Sequence, residues 1–156
     1  MTQPQNDSRA LRNALGRYAT GVTIVTAIDP DGHPIGLTVN SFAAVSLDPA
    51  LVLWCLDNSS HNLAAFRKAS HHAINVLAAD QQDISNRFAT WPADRFVGLP
   101  WQPGAGGAPV LPGCCATFGA AGEWRLILPS LVIGALFGYL MKASGLWLSS
   151  KTQATA

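Results

Sequence analysis

The chain has 156 residues, of which 49% are hydrophobic and 12% are charged, and its formal net charge is +1. This apolar content excludes a wholly disordered chain, and the near-neutral charge excludes a basic surface of the kind that binds nucleic acid. Three cysteines without a C-x-x-C pair argue against a disulfide scaffold or a zinc-thiolate site and favour a reducing cytoplasm. The polar residues 1–8 lack the apolar stretch of a signal peptide, so we expect a disordered N-terminus on a cytoplasmic protein.

The first half of the chain predicts one helix followed by several strands. Ser8 can cap a helix whose apolar residues recur at helical spacing up to Tyr18. A β-branched, alternating stretch over residues 22–28 is joined by turn residues to a second strand over 35–40, which predicts a β-hairpin. Two further strands are predicted over residues 42–46 and 51–56.

Two short helices and another strand follow. Apolar spacing predicts helices over residues 61–69 and 80–89, on either side of a strand over 73–77. Residues 92–113 are rich in proline and glycine, which predicts irregular structure. Short strands joined by a tight hairpin predict a mainly β fold with short helices, a small antiparallel barrel and not a doubly wound parallel sheet.

Common catalytic and metal signatures are missing from the sequence. It has no G-x-S-x-G motif, no Walker loop, and no glycine motif that opens a helix. No pair of carboxylates stands out for acid–base chemistry. His71 and His72 are neighbours on a predicted strand, where their side chains would point to opposite faces, so we expect no metal site. Because these motifs are missing, the sequence does not identify the catalytic residues.

Polar residues collect where two predicted strands end. Thr38, Asn40 and Ser41 end one strand, and residues 57–62 follow another and open a predicted helix. Free backbone N–H groups beside hydroxyl and amide side chains can bind an anion such as phosphate. The same residues could serve only as a helix cap and a strand end, and chemistry alone favours this second interpretation because such caps are common.

Several motifs, in this order and spacing, resemble the flavin reductase-like family, the small reductase components of two-component flavin monooxygenases. The resemblance covers residues 9–118. Its motifs are GVTIVT at residues 21–26, GLTVNSF at 36–42, VSLDP at 45–49, LVLWC at 51–55, INVL at 74–77, RFA at 87–89, and DRF at 94–96 before Gly98 and Pro100-Trp101.

This resemblance implies an antiparallel split barrel that binds FMN or FAD, usually as a homodimer. It also implies a reaction in which NAD(P)H passes a hydride to the flavin, and the reduced flavin then diffuses to an oxygenase partner.

The resemblance further implies a set of flavin-site residues. The residues that would line the flavin are Thr38, Val39, Asn40 and Ser41, and the strand that would pass beneath it contains Ala43, Ala44 and Val45. The phosphate-side loop would be formed by Asp57, Asn58, Ser59 and Ser60. Phe88 would be a hydrophobic residue near the flavin site. Many family members carry an arginine in the phosphate-side loop, but this chain has none there. Hydroxyls, amides and the helix dipole would then hold the phosphate, with His61 or Arg67 as candidate charges. Phe88 could equally be a core residue of its helix.

The tail, residues 119–156, departs from the family pattern. The family's Gly-Asp-His motif near the nicotinamide and its later Gly-Arg-Tyr motif have no counterpart here, and no His or Asp follows Phe118. Residues 126–141 form an uncharged run, and Lys142 separates it from more apolar sequence up to Leu148.

Three interpretations of this tail stay open. It could be a membrane helix over 126–148, a divergent helix that packs on the barrel or a partner, or the product of a shifted reading frame. We expect helix over residues 125–148 and therefore an incomplete barrel, because a helix cannot complete a sheet edge. Two functions follow: an NAD(P)H-dependent flavin reductase, or a flavin-binding protein without turnover. The membrane-helix interpretation of the tail would attach the second of these to a membrane.

Overall fold

The structure is a computed structural model that describes residues 20–48, 50–90, 95–126 and 136–148. The predicted N-terminal helix and the predicted disorder of residues 1–8 lie outside the described residues. So does the part of the uncharged run from 127 to 135.

The described chain is mainly β-structure with two short α-helices, as the sequence predicts, and a 3₁₀ turn over Ala105–Gly107. The helices are α1 (Leu63–Lys68) and α2 (Gln82–Ala89). The long strands are β1 (Thr23–Ile28), β2 (Pro34–Val39), β3 (Ala43–Leu47), β4 (Ala50–Asp57), β5 (His71–Val76), β8 (Ala116–Leu126) and β9 (Leu136–Leu148). The two-residue strands β6 (Gln102–Pro103) and β7 (Pro109–Val110) pair with each other inside the proline- and glycine-rich region.

The seven long strands form one antiparallel sheet in the order β2-β1-β5-β8-β9-β4-β3. The predicted hairpin is confirmed, with Thr23 of β1 opposite Val39 of β2. Within the described residues β2 and β3 are the two ends of this order, so the sheet is not a closed barrel. Val39 near one end and Val52 near the other nevertheless belong to the same core cluster, which means that the sheet curls around a shared interior.

Strand β1 lies inside the sheet, between β2 and β5, and is buried over most of its length. Its β-branched residues suit a strand covered on both faces. The two buried threonine hydroxyls of β1 are hydrogen-bonded. Thr23 donates to the Val39 carbonyl at 3.0 Å, and Thr26 donates to the Pro109 carbonyl at 2.5 Å. Burial of polar side chains is tolerated here because each has an acceptor.

The helix predicted over residues 125–148 is wrong for residues 125–126, which end strand β8, and for residues 136–148, which form strand β9. β9 fills the position between β4 and β8, with Leu53 opposite Leu140 on one side and Phe118 opposite Leu146 on the other. The physical reason is that β4 and β8 would otherwise each present unpaired backbone N–H and C=O groups. Glycines at 138 and 145 also disfavour helix, whereas sheet pairing satisfies the backbone of both neighbours. The predicted gap in the sheet is therefore filled at this position.

Within the described part of the chain, neither helix has the length and apolar character needed to cross a membrane.

Candidate functional site

A cavity of about 700 Å³ lies between the end of β2, the loop after β4, and helix α2. The region of β1 and β2 contributes Val22, Leu37, Thr38 and Asn40. The loop before α1 contributes Asp57, Ser60, His61 and Asn62. Helix α2 and the chain after it contribute Ser85, Phe88, Ala89 and Arg95. The volume lies in the range of about 300–1,000 Å³ that is usual for small-molecule sites.

The structure brings residues from three of the predicted segments to this cavity. The predicted site residues that line it are Thr38, Asn40, Asp57, Ser60 and Phe88. They are far apart in sequence, so their meeting is a consequence of the fold. Strand β2 runs antiparallel to β1, and β4 ends at the loop that faces β2 across the cavity.

Other predicted flavin-site residues do not line this cavity. Val39 points into the core, as expected from side-chain alternation along β2. Ser41 lies two residues after the end of β2 and joins this segment to β4: its Oγ accepts a hydrogen bond of 2.9 Å from the Cys55 N–H. The N–H and hydroxyl of Ser59 are hydrogen-bonded to the Asp57 carboxylate. Asn58 is not among the residues that line the cavity.

Ala43, Ala44 and Val45 lie on β3, one of the two edge strands, and are exposed. They are not among the residues that line the cavity. Val45 is 50% exposed and Leu47, at the end of the same strand, is 94% exposed. This edge therefore presents apolar side chains to the surroundings of the chain.

Helix α2 forms one wall of the cavity and is held against β2. The Thr38 hydroxyl donates a hydrogen bond of 2.6 Å to the Ser85 carbonyl. The Phe88 ring lies on Gly36, where an added Cβ would come within 2.7 Å of Phe88 Cε1. Phe88 is only 1% exposed and packs edge-on against Phe96, with ring centroids 5.1 Å apart. Phe88 is thus both a core residue and part of the cavity wall.

The loop of Asp57–Ser60 uses many of its own hydrogen-bond donors. The Ser59 N–H and hydroxyl both donate to Asp57 Oδ1, at 2.8 and 2.7 Å, and these bonds lower the pKa of the Asp57 carboxyl below its ordinary value. The Ser60 N–H donates to the Asp57 carbonyl at 3.0 Å. The loop therefore carries an ionised carboxylate with an internal hydrogen-bond network. Arg67, a candidate charge from the sequence, is exposed and does not line the cavity, whereas His61 does.

Arg95 is a site residue that the sequence analysis did not single out. Its Nη1 donates to the Gly36 carbonyl at 2.5 Å and its Nη2 to the Thr90 carbonyl at 2.7 Å. Its Nε is buried and has no hydrogen-bond partner in the structure. Burial lowers the pKa of the guanidinium from its ordinary value, but an arginine stays charged at neutral pH. The available signal was its place in the DRF motif at residues 94–96.

A family model described as a flavin reductase like domain matches residues 15–139. The chain belongs to this family. The resemblance seen in the sequence is thereby confirmed, and the match runs past Phe118 into the tail.

Curated relatives of this flavin reductase domain include reductase components of monooxygenases. The FMN reductase (NADH) SmoA of Agrobacterium fabrum is 54% identical over 112 residues, covering 72% of this chain and 63% of SmoA. The reductase component of the flavin-dependent trigonelline monooxygenase of Acinetobacter baylyi is 49% identical over 113 residues, covering 72% of this chain and 36% of that protein. The chain thus spans only part of the length of these relatives.

Solved structures share the fold. The NADH:FAD oxidoreductase SgcE6 of Streptomyces globisporus, in complex with NAD and FAD fragments, has a TM-score of 0.81 and 31% identity, covering 95% of this chain and 86% of that one. BorF, the flavin reductase component of a bacterial two-component tryptophan halogenase, has a TM-score of 0.80 and 33% identity, covering 92% of this chain and 89% of that one. The flavin reductase domain described here therefore has the fold of these reductases.

Its cavity also suits a flavin chemically. Leu37, Val22 and Phe88 offer apolar surface to a flat ring system. Asn40 and Ser60 offer an amide and a hydroxyl to polar ring edges or to sugar-like hydroxyls. Arg95 adds a positive charge at one side. A cavity that combines apolar side chains with amide and hydroxyl groups and a cation is suited to a nucleotide that carries a flat ring and a polar chain.

Proposed function

We propose that this chain is a flavin reductase that binds FMN or FAD in the cavity between β2, the Asp57–Ser60 loop and α2. The observation that carries the proposal is the meeting of Thr38, Ser60 and Phe88 at one cavity in a member of the flavin reductase family. These residues come from separate segments that the family resemblance implicates in flavin binding.

The relatives support NAD(P)H as the reductant and an oxygenase as the recipient. SmoA is named an FMN reductase that uses NADH, and SgcE6 was solved with NAD and FAD fragments. The trigonelline protein is named the reductase component of a monooxygenase. We propose the same general task here: accepting electrons from a nicotinamide nucleotide and supplying reduced flavin to an oxygenase partner.

In this proposed reaction the residues of the chain bind the two nucleotides and orient them. When both nucleotides are bound, the nicotinamide supplies a hydride and the flavin ring accepts it. The protein positions the reactants and excludes water, which converts an encounter in solution into a reaction between oriented groups. Thr38 fixes the α2 wall through Ser85, and Phe88 closes the apolar side. Asn40 and Ser60 orient the polar parts of the ligand.

A flavin-binding protein without turnover is the second candidate. The observation that favours it is that no His or Asp follows Phe118, where the family resemblance implies a Gly-Asp-His motif near the nicotinamide. Such a protein would bind flavin in the same cavity but would not oxidise NAD(P)H.

The experiment that separates the two candidates measures binding and turnover on one preparation. Flavin binding is followed by the quenching of flavin fluorescence, and NADH or NADPH oxidation is followed at ~340 nm with FMN or FAD added. Oxidation that depends on both nucleotide and protein supports the reductase. Binding without oxidation supports the second candidate. Absence of binding by either flavin would contradict both.

We also propose that the chain forms a homodimer, as the family resemblance implies. Among the described residues, the exposed edge strand β3, with Val45 and Leu47, offers an apolar surface for a contact between copies. Light scattering on the wild type and on Leu47→Lys tests this. A dimer that the substitution weakens supports the proposal, and a monomeric wild type would contradict it.

A further inference from the structure

Helix α2 forms one wall of the cavity, so the shape of the cavity depends on where this helix lies relative to strand β2. Ser85, Phe88 and Ala89 bring α2 to the cavity, and Thr38 brings β2 to it. The Thr38 hydroxyl holds the middle of the helix through its bond to the Ser85 carbonyl. The last carbonyls of a helix have no partner inside the helix, so the C-terminal end of α2 needs contacts of its own.

Two side chains, those of Thr90 and Arg95, hold the C-terminal end of α2. The backbone becomes extended at Thr90, the residue after the helix. The Thr90 N–H and the Thr90 hydroxyl both donate to the Asn86 carbonyl, each at 3.1 Å. The Thr90 carbonyl accepts a hydrogen bond of 2.7 Å from Arg95 Nη2. Arg95 therefore contacts α2 at the residue where the helix ends.

The same guanidinium is also bonded to strand β2. Arg95 Nη1 donates to the Gly36 carbonyl, and Gly36 is the residue against which the Phe88 ring packs. Strand β2 has one neighbour in the described sheet, so a side chain can approach its backbone from the other side. The Arg95 Nε is buried within the protein. One planar, charged group is thus fixed between the strand and the end of the helix.

We propose that Arg95 is a positioning residue for flavin binding: it fixes the C-terminal end of α2 against β2 and so keeps the cavity in the shape that receives a flavin. This inference rests on the proposed function, because it assumes that a flavin occupies the cavity. A wall that is already fixed before binding lowers the entropy cost of ordering it around the ligand. Arg95 acts through the wall, so its effect does not depend on which flavin is bound.

The first test compares riboflavin, FMN and FAD, which share a ring system and differ in their phosphate groups. Dissociation constants of all three are measured by fluorescence quenching for the wild type, Arg95→Gln and the matched control Arg87→Gln. Arg87 is an arginine of α2 that is bonded to the Val97 carbonyl and does not line the cavity. The control therefore removes the same charge and one backbone contact without touching the bond to β2.

Arg95→Gln should weaken all three flavins by the same factor, about tenfold, because the loss of bonds from a charged donor loosens the wall for every ligand. Arg87→Gln should change each dissociation constant by less than about twofold. A loss confined to FMN and FAD would mean that Arg95 contacts a phosphate, and it would overturn the inference but leave the proposed function standing. Unchanged constants for all three flavins would overturn the inference as well. A wild type that binds none of them would overturn the proposed function.

A second measurement separates positioning of α2 from general stabilisation of the fold. Hydrogen exchange of the free protein is followed at residues 86–90, at the end of α2, and at residues 72–75, which lie on the central strand β5. In Arg95→Gln we expect exchange at 86–90 to be about tenfold faster and exchange at 72–75 to be unchanged, because only the helix end opens more often. Equal acceleration at both places would mean that Arg95 stabilises the whole fold, and it would overturn the inference.

Arg95→Lys keeps the inference testable if Arg95→Gln does not fold. Lysine retains the charge, but its ammonium group lacks the planar fork with which arginine bonds to two carbonyls at once. We expect Arg95→Lys to weaken all three flavins by about threefold or more and to speed exchange at residues 86–90. Wild-type dissociation constants and exchange in Arg95→Lys would show that the joint bond to Gly36 and Thr90 does not position the helix, and they would overturn the inference.

Discussion

The Thr38 hydroxyl and the Ser85 carbonyl are joined by a hydrogen bond of 2.6 Å that ties strand β2 to helix α2. Both residues line the cavity, so this bond fixes the distance between two of its walls. A part-buried bond between a side chain and a helix carbonyl orients the helix without adding charge. Thr38 is in this respect a positioning residue, in addition to any contact that it makes with a ligand.

Thr38→Val should loosen this wall. The substitution keeps the shape of the side chain and removes the donor, so we expect the free energy of unfolding to fall by about 1 kcal/mol. The dissociation constant of FMN should rise, because α2 is no longer held against β2. Thr38→Ser keeps the hydroxyl and should restore most of both quantities. Urea unfolding and a flavin titration check the prediction, which fails if Thr38→Ser behaves like Thr38→Val.

Gly36→Ala should destabilise the protein by crowding Phe88. The new Cβ would lie 2.7 Å from Phe88 Cε1 and 3.2 Å from Thr26 Cγ2, and the buried Phe88 ring has little room to move. Overpacking of this kind costs about 1–3 kcal/mol. Gly21→Ala is the matched control, since nothing lies within 4 Å of its added Cβ. Equal thermal midpoints for the two variants would contradict the prediction.

His72 should make the protein less stable at acidic pH. The ring is 0% exposed and packs against both Trp54 and Phe66, and burial lowers its pKa from 6.5 to about 4. Because the unfolded chain takes up the proton at a higher pH than the folded one, this contribution to stability is fully present above pH 6.5. It is lost as the pH falls toward about 4, by up to about 3 kcal/mol.

Urea unfolding between pH 7 and pH 4.5 measures this effect. We expect His72→Gln to show a smaller loss of stability over that range than the wild type, because glutamine does not titrate. His33→Gln is the control, since the His33 side chain is 75% exposed. Identical pH profiles for the wild type and His72→Gln would contradict the assignment.

Strand β9 should be needed to keep β4 and β8 covered. A chain ended at residue 135 would leave both strands with unpaired backbone edges, and exposed edges favour aggregation. A chain ended at Leu148 keeps β9 whole and serves as the control. We expect the shorter chain to aggregate in size-exclusion chromatography with light scattering. A monodisperse shorter chain with an unchanged circular dichroism spectrum would show that β9 is dispensable.

Local patterns in the sequence predicted much of the fold and failed at the tail. The alternation over residues 22–28 and the apolar run over 51–56 locate β1 and β4 to within a residue or two. The uncharged run over 126–141 has no strand alternation, and the strand over 136–148 follows from pairing with the distant strands β4 and β8. Pairing between distant strands overrides local pattern, and no short window of sequence contains it. The shifted reading frame stays a prediction, which the coding DNA beyond the codon for Phe118 would test.

Some residues of the candidate site could be predicted from the sequence and others could not. Thr38, Ser60 and Phe88 were predicted because their motifs resemble those of a family, and the fold brings them together. Arg95 was not predicted as a site residue, because its role depends on the chain after α2 folding back onto the Gly36 carbonyl. The hydrogen bonds from Ser59 to Asp57 could not be predicted either, because the sequence of a polar loop does not show which of its donors are already bonded within the loop.

The most direct test of the central claim maps the flavin onto the chain. A heteronuclear NMR titration of the isotope-labelled protein with FMN would report which backbone amides respond. The account predicts shifts concentrated at residues 37–40, 60–62 and 85–89, which surround the cavity. Shifts concentrated instead around residues 68–71, at the separate pocket beside His71, or no shifts at saturating FMN, would contradict it.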